Sequence, residues 1–112
     1  MKGIVFITPI KRGHPWFVIS DALQGEVLTV NITDAAFEDS TCILQPGDHA
    51  CVIKPSAVRY RSAKAWRVQE LQKNLALCYV HPDLASAELL KRIIDGGLKS
   101  EDLFGKFLKF LL

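Results

Sequence analysis

Residues 15–33 read Pro15-Trp16-Phe17-Val18-Ile19-Ser20-Asp21-Ala22-Leu23-Gln24-Gly25-Glu26-Val27-Leu28-Thr29-Val30-Asn31-Ile32-Thr33. Two runs of aromatic and β-branched residues flank a short polar segment, the composition that favours paired strands over helix. Gly25 supplies the residue with positive φ that a tight hairpin loop needs. The two runs are therefore expected to be neighbouring antiparallel strands.

Outward from this hairpin, further short runs rich in Val, Ile, Phe or Tyr and bounded by Gly, Pro, Asp or Asn predict strands over Gly3 to Thr8, Ala50 to Lys54, Ala57 to Ser62 and Asn74 to Val80, beside Pro15 to Ser20 and Glu26 to Thr33. Many short strands suggest a small barrel. Asp34 to Asp48 is acidic and closes on Gln45-Pro46-Gly47-Asp48, a turn in which Gly47 takes a left-handed conformation. It reads as a long surface loop, either a binding loop or a structural excursion fixed by Phe37, Cys42, Ile43 and Leu44.

After His81, Pro82 to Asp95 predicts a helix stopped by Gly96-Gly97. Pro82 suits the first turn, Asp83 and Glu88 lie early, and Lys91 and Arg92 lie late, where the helix dipole favours them. Leu84, Leu89, Leu90, Ile93 and Ile94 form its apolar face. A second helix is expected after Ser100 as cap, carrying Leu103, Phe104, Phe107, Leu108, Phe110, Leu111 and Leu112. A tail that apolar either caps the core or buries itself against another subunit.

With 112 residues and 49% of them hydrophobic, the chain predicts one domain with an ample core: a barrel over 1–80 and helices over 82–112. No apolar run approaches the roughly 20 residues that span a bilayer, and the N-terminus lacks the pattern of a signal peptide, so a cytoplasmic protein without membrane contact is expected. Cys42, Cys51 and Cys78 are odd in number and lack metal-motif spacing; they read as core residues in a reducing compartment. A metal reading through Cys42, His49 and Cys51 matches no common zinc pattern, and no cofactor is expected.

Charge is segregated along the chain. Residues 13–53 contain no Lys or Arg but six acidic groups, Asp21, Glu26, Asp34, Glu38, Asp39 and Asp48. The next twenty residues carry Lys54, Arg59, Arg61, Lys64, Arg67 and Lys73 against Glu70 alone. The net charge of +2 conceals this. Folded onto one surface, the basic stretch is a footprint for phosphate or an acidic partner; spread out, it is a solvated face. Alternation along the strand puts Arg59 and Arg61 on one face and Val58 and Tyr60 on the core side.

Three segments in order resemble the PemK/MazF family of toxin endoribonucleases: Arg12-Gly13-His14-Pro15-Trp16-Phe17-Val18-Ile19-Ser20, Leu28-Thr29-Val30-Asn31-Ile32-Thr33 and Pro55-Ser56-Ala57-Val58-Arg59-Tyr60-Arg61, with Leu77-Cys78-Tyr79-Val80 leading directly into a helix. The resemblance implies a small SH3-like antiparallel barrel that dimerises, binds an antitoxin protein and cuts single-stranded RNA without a metal. It assigns Arg59 to the phosphate, His14 to proton transfer or phosphate contact, and Thr33 to a hydrogen bond near the scissile group. Arg61 stands where the family often has an acidic residue, and a guanidinium cannot serve as a base at neutral pH. Asp48 or His49 fills that gap if their loop folds over Arg59; otherwise Asp48 fixes the turn. Substrate contacts are expected from Arg61, Lys54, Trp16 and Arg67, with Trp16 and Trp66 either stacking on bases or half-buried in the core. His81 is assigned to the strand-to-helix junction. The rival expectation is a non-enzymatic interaction module on the same barrel, its acidic loop and basic strand engaging a protein partner.

Overall fold

The computed structural model describes residues 1–10, 13–38 and 41–112, and of Phe37 the backbone only; Arg12 and Asp39 thus lie outside the described residues. Six strands form one curled antiparallel sheet, a half-barrel, in the order β4-β5-β3-β2-β1-β6. They are β1 (Val5–Ile7), β2 (Pro15–Val18), β3 (Glu26–Asp34), β4 (Ile43–Leu44), β5 (Ser56–Arg67) and β6 (Tyr79–Val80). Helix α1 (Val68–Leu75) follows β5, and α2 (Ala87–Lys99) follows β6. Short 3-10 helices occupy Ala35–Phe37 and Gly105–Phe110.

The central hairpin forms as the sequence predicts. Gln24 and Gly25 both have positive φ, 52° and 79°, the requirement of a two-residue type I′ loop, and Leu23 and Glu26 exchange backbone hydrogen bonds across it. Trp16 pairs with Asn31, Phe17 with Val30 and Val18 with Thr29.

This register sorts the side chains into two cores. Val5, Phe17, Ile19, Leu28, Val30, Ile32, Val58 and Tyr60 point to one face, where α2 and the 3-10 segment bring Leu89, Leu90, Ile93, Phe107, Phe110 and Leu111. Leu103, Phe107, Phe110 and Leu111 of the apolar tail therefore cap this chain's own core, while Phe104, Leu108 and Leu112 stay exposed. On the opposite face a smaller cluster of Phe6, Val18, Val27 and Leu71 gathers under α1, with Trp16 and Trp66 at its margin.

Several boundaries differ from the sequence reading, each for a local reason. Residues 50–54 are turn and coil, because Cys51 N donates to His49 Nδ1 and Val52 N to the His49 carbonyl, so these donors are met inside the loop. Of Asn74 to Val80 only Tyr79–Val80 pair with β1. The chain before them is α1, whose Val68, Leu71 and Leu75 recur at helical spacing and pack on Trp66's side of the sheet.

Helix α2 begins at Ala87, not Pro82. Ser86 Oγ accepts from Leu89 N at 3.1 Å as its cap, while Ala85 N is tied to the Gly3 carbonyl, and Leu84 is exposed. It also runs through Gly96-Gly97 to Lys99. These glycines do not stop the helix; their missing side chains let it lie against Tyr60, whose hydroxyl donates to the Ile93 carbonyl at 2.7 Å. Ser100 caps a turn at Asp102, and the segment beyond it is 3-10 rather than α-helical. No helix among the described residues is long and apolar enough to cross a membrane.

Candidate functional site

The α1 side of the sheet is only partly covered, and its uncovered part carries the polar residues. Across the sheet, Phe6 pairs with Trp16, Trp16 with Asn31, and Asn31 with Arg59, so these four side chains form one row. Adjacent strands lie about 4.8 Å apart, which sets Trp16 and Arg59 about 10 Å from each other with Asn31 between them. The next row holds Thr33, paired with Ala57. The registers carried past Pro15 place His14 opposite Thr8 on one side and Thr33 on the other. The close approach there is visible at Gly13, where a Cβ would lie 2.8 Å from the Thr8 carbonyl.

Among the described residues, three buried side-chain atoms lack a hydrogen-bond partner: Thr8 Oγ1, Asn31 Oδ1 and Arg59 Nε. All three fall in these two rows. Asn31 is 5% exposed, so its unmet acceptor carries the full desolvation penalty of a buried polar group, about 1 to 3 kcal/mol. Polar atoms left without hydrogen bonds and gathered on one sheet face call for an explanation beyond packing.

Arg59 and Arg61 converge on a residue that sequence reading counted only among the acidic groups of its loop. Glu38 Oε2 accepts from Arg61 Nη2 at 3.0 Å and lies 3.5 Å from Arg59 Nε, an ion pair without hydrogen-bond geometry. The Glu38 side chain is 7% exposed. It reaches the face because Asp34 caps the 3-10 turn after β3, its Oδ1 accepting from Ala36 N at 3.0 Å, which aims the chain back over β5. The Ala36 N–H and the Lys54 ammonium 2.9 Å away hold the Asp34 carboxyl below its usual pKa. The signal in the sequence was the Asp-x-Ala-x-Glu spacing after a strand, an Asx turn followed by an acid.

Of the expected site residues, the structure brings Arg59, Arg61, His14, Thr33 and Trp16 to one face, with Lys54 at its edge. His14 is exposed and Trp16 stacks on Phe6 with ring centroids 6.4 Å apart. Arg67 pairs with Glu26 at the far end of β3 and does not join them. His49 does not join them either. It is buried beside Phe17, which belongs to the opposite face, and both ring nitrogens are engaged: Nε2–H donates to the Asp83 carbonyl at 2.8 Å and Nδ1 accepts from Cys51 N at 3.0 Å. Asp48 accepts from Gln45 N at 2.7 Å and pairs with Arg92 Nη1 at 2.8 Å, fixing its turn against α2. His81 lies at the junction after β6, its N–H on the Val5 carbonyl. Trp66 donates to Thr29 Oγ1 beneath the Lys64 ammonium.

No cluster of three or more His, Cys, Asp or Glu suited to a metal ion occurs among the described residues. Burial pushes the Cys51 thiol up to about 11, so it is neutral at physiological pH. No family model matches the chain, and comparison with curated proteins and with solved structures returns no match.

Proposed function

We propose that this half-barrel is a divergent relative of the SH3-like PemK/MazF barrels and acts on single-stranded RNA phosphodiesters. The observation that carries the proposal is the placement of Thr33 and Arg59 on one sheet face, with His14 one residue before β2 at its edge; that face also holds three buried polar atoms without a hydrogen-bond partner.

The chemistry that suits this arrangement is transfer of the phosphate to the neighbouring 2′-hydroxyl. His14, exposed, takes the hydroxyl proton as the 2′ oxygen–phosphorus bond forms. Arg59 and Arg61 stabilise the charge that grows on the phosphoryl oxygens. Thr33 and Asn31 position the phosphate through hydrogen bonds, and solvent water on this open face protonates the departing 5′ oxygen. Glu38 fixes the two guanidinium groups in place. The same reading makes the protein cytoplasmic and dimeric and gives it a small antitoxin-like partner.

The ion pairs at Glu38 favour a second reading, in which the arginines are already satisfied and the same face is a non-enzymatic protein-interaction surface. Affinity for a short single-stranded RNA separates the two, since a phosphate-binding face weakens steeply with salt and a protein-only surface shows no such affinity. The test of catalysis is cleavage of single-stranded RNA by the purified chain in EDTA, with Arg59→Ala as control.

A further inference from the structure

Beyond Arg59 and Arg61, the same face of β5 carries a third cation and a tryptophan. Across from β3, Thr29 pairs with Lys64 and Val27 with Trp66. Trp66 packs at the margin of the cluster under α1, which sets Lys64, two residues before it on the strand, on that side of the sheet as well. Where β3 advances from Thr29 to Asn31, β5 runs from Lys64 to Arg59, a register shift of the kind that re-aims side chains. Tyr60 keeps to the core, Arg61 reaches Glu38 on the outer face, and Lys64 returns to that face beyond it. Arg59, Arg61 and Lys64 thus follow one another along one side of the sheet, with at most about 11 Å of chain from Arg61 to Lys64.

The Trp66 ring is fixed and the cation over it is not. Trp66 Nε1–H donates to Thr29 Oγ1 at 3.0 Å, and the Thr29 hydroxyl donates onward to the Lys64 carbonyl at 3.0 Å. Thr29 is buried, so this short chain of hydrogen bonds holds the half-buried indole in one orientation. Lys64 is exposed, with Nζ 3.6 Å from the centre of the ring. Lys2, Lys54 and Lys91 are each paired with an aspartate, whereas no ion pair among the described residues involves Lys64. A cation–π contact orients an ammonium without neutralising it, and the flexible four-carbon stem lets the ammonium leave the ring. An indole held in place beside three cations suits a ligand that alternates negative charge with flat rings. Single-stranded nucleic acid does so, and bases stacked on aromatic side chains along a basic groove are how such strands are held without sequence preference. An acidic polypeptide has the charge but no use for the ring.

We propose that Trp66 is a stacking platform for a base of single-stranded nucleic acid and that Lys64 is its displaceable cover. On binding, the Lys64 ammonium moves from the ring to a phosphate, and the base takes its place on the indole. The platform rests on the reading of the Arg59 face as an RNA site and adds to it the neighbouring nucleotide, held along β5 on the same side of the sheet as the reacting phosphate.

The chain has two tryptophans, so W16F leaves Trp66 as the sole indole while keeping a ring against Phe6. Binding of a short labelled 2′-deoxy oligonucleotide, which lacks the attacking hydroxyl, is followed both by Trp66 emission and by anisotropy of the label. The expected result is quenching of Trp66 that saturates together with the anisotropy. In K64Q the slope of log affinity against log salt is expected to fall by about 0.7, the share of one phosphate contact on a single strand. The unaltered chain gives the same reading with Trp16 in place, its quenching being expected to diminish in W66F. Binding that leaves Trp66 emission unchanged overturns the platform, and so does a K64Q slope equal to that of the unaltered chain. Quenching by polyglutamate as strong as that by the oligonucleotide assigns the surface to an acidic protein and overturns it too. R59A/R61A separates the platform from the reaction: Trp66 quenching that persists at higher oligonucleotide concentration keeps the platform even where the parent chain cleaves no RNA. Absence of oligonucleotide binding by the folded parent chain overturns both.

Discussion

Glu38 and Arg61 meet at 3.0 Å on the outer face of β5, joining the acidic loop to the basic strand that the sequence keeps apart. Arg59 approaches the same carboxylate oxygen at 3.5 Å. An incoming phosphate therefore competes with Glu38 for both guanidinium groups. Glu38→Gln keeps the shape and removes the competing charge. It is expected to tighten binding of a short single-stranded oligonucleotide several-fold at low salt, with a steeper salt dependence, both read by anisotropy. Weaker binding would show that Glu38 orders the arginines more than it shields them.

Gly96 is where helix α2 rests on Tyr60. In an ordinary helix interior, Gly→Ala adds about 1 kcal/mol of stability through propensity. Here the added methyl would collide with Tyr60 Oη and lie 2.9 Å from Cys42 Cβ. Tyr60 cannot swing away without losing its hydrogen bond to Ile93. Gly96→Ala is expected to destabilise by about 1 to 3 kcal/mol in urea unfolding; a gain in stability would contradict this packing.

The pairing of β2 with β3 was legible in the sequence because it follows from period-2 alternation and one turn. Gln24-Gly25 set the hairpin, and Val58 and Tyr60 fell on the core side as alternation requires. The Gly96-Gly97 pair was not, since the residue that explains it, Tyr60, is distant in sequence and propensity alone reads glycine as a stop. Glu38 escaped for the same reason: a single acid in an acidic loop carries no sign of which cations it will meet. His49 looked catalytic by residue type, and only its two hydrogen bonds assign it to the loop. Helix α1 went unassigned and the strand expected over Asn74 to Val80 begins only at Tyr79, although Val68, Leu71 and Leu75 hold helical spacing.

The Asp48–Arg92 pair ties the turn at Gly47 to α2. Arg92, and next the Gln45 N–H, hold the Asp48 carboxyl below its usual pKa. A depressed folded-state pKa contributes stability that is whole above about pH 4 and is lost as pH falls through the folded value. Asp48→Asn should therefore lower the melting temperature at pH 7 by a few degrees, corresponding to about 1 kcal/mol. The difference from the unaltered chain should shrink toward about pH 2 to 3, as the carboxylate of the folded chain is protonated. An equal difference at both pH values would show that the ion pair is not its source.

His49→Ala removes two buried hydrogen bonds and a ring packed against Phe17. The expected loss is about 2 to 4 kcal/mol in denaturant unfolding. Below its lowered melting temperature, the variant should retain whatever RNA cleavage the parent shows. Loss of cleavage in a folded His49→Ala protein would return that residue to the mechanism.

The most direct measurement follows a fluorescent single-stranded RNA of mixed sequence incubated in EDTA with the purified chain and, separately, with His14→Ala and Arg59→Ala. Discrete products ending in a 2′,3′-cyclic phosphate, formed by the parent and lost in both variants, are the predicted result. Absence of cleavage by a folded parent chain, or cleavage undiminished in both variants, would contradict a reaction centred on this face.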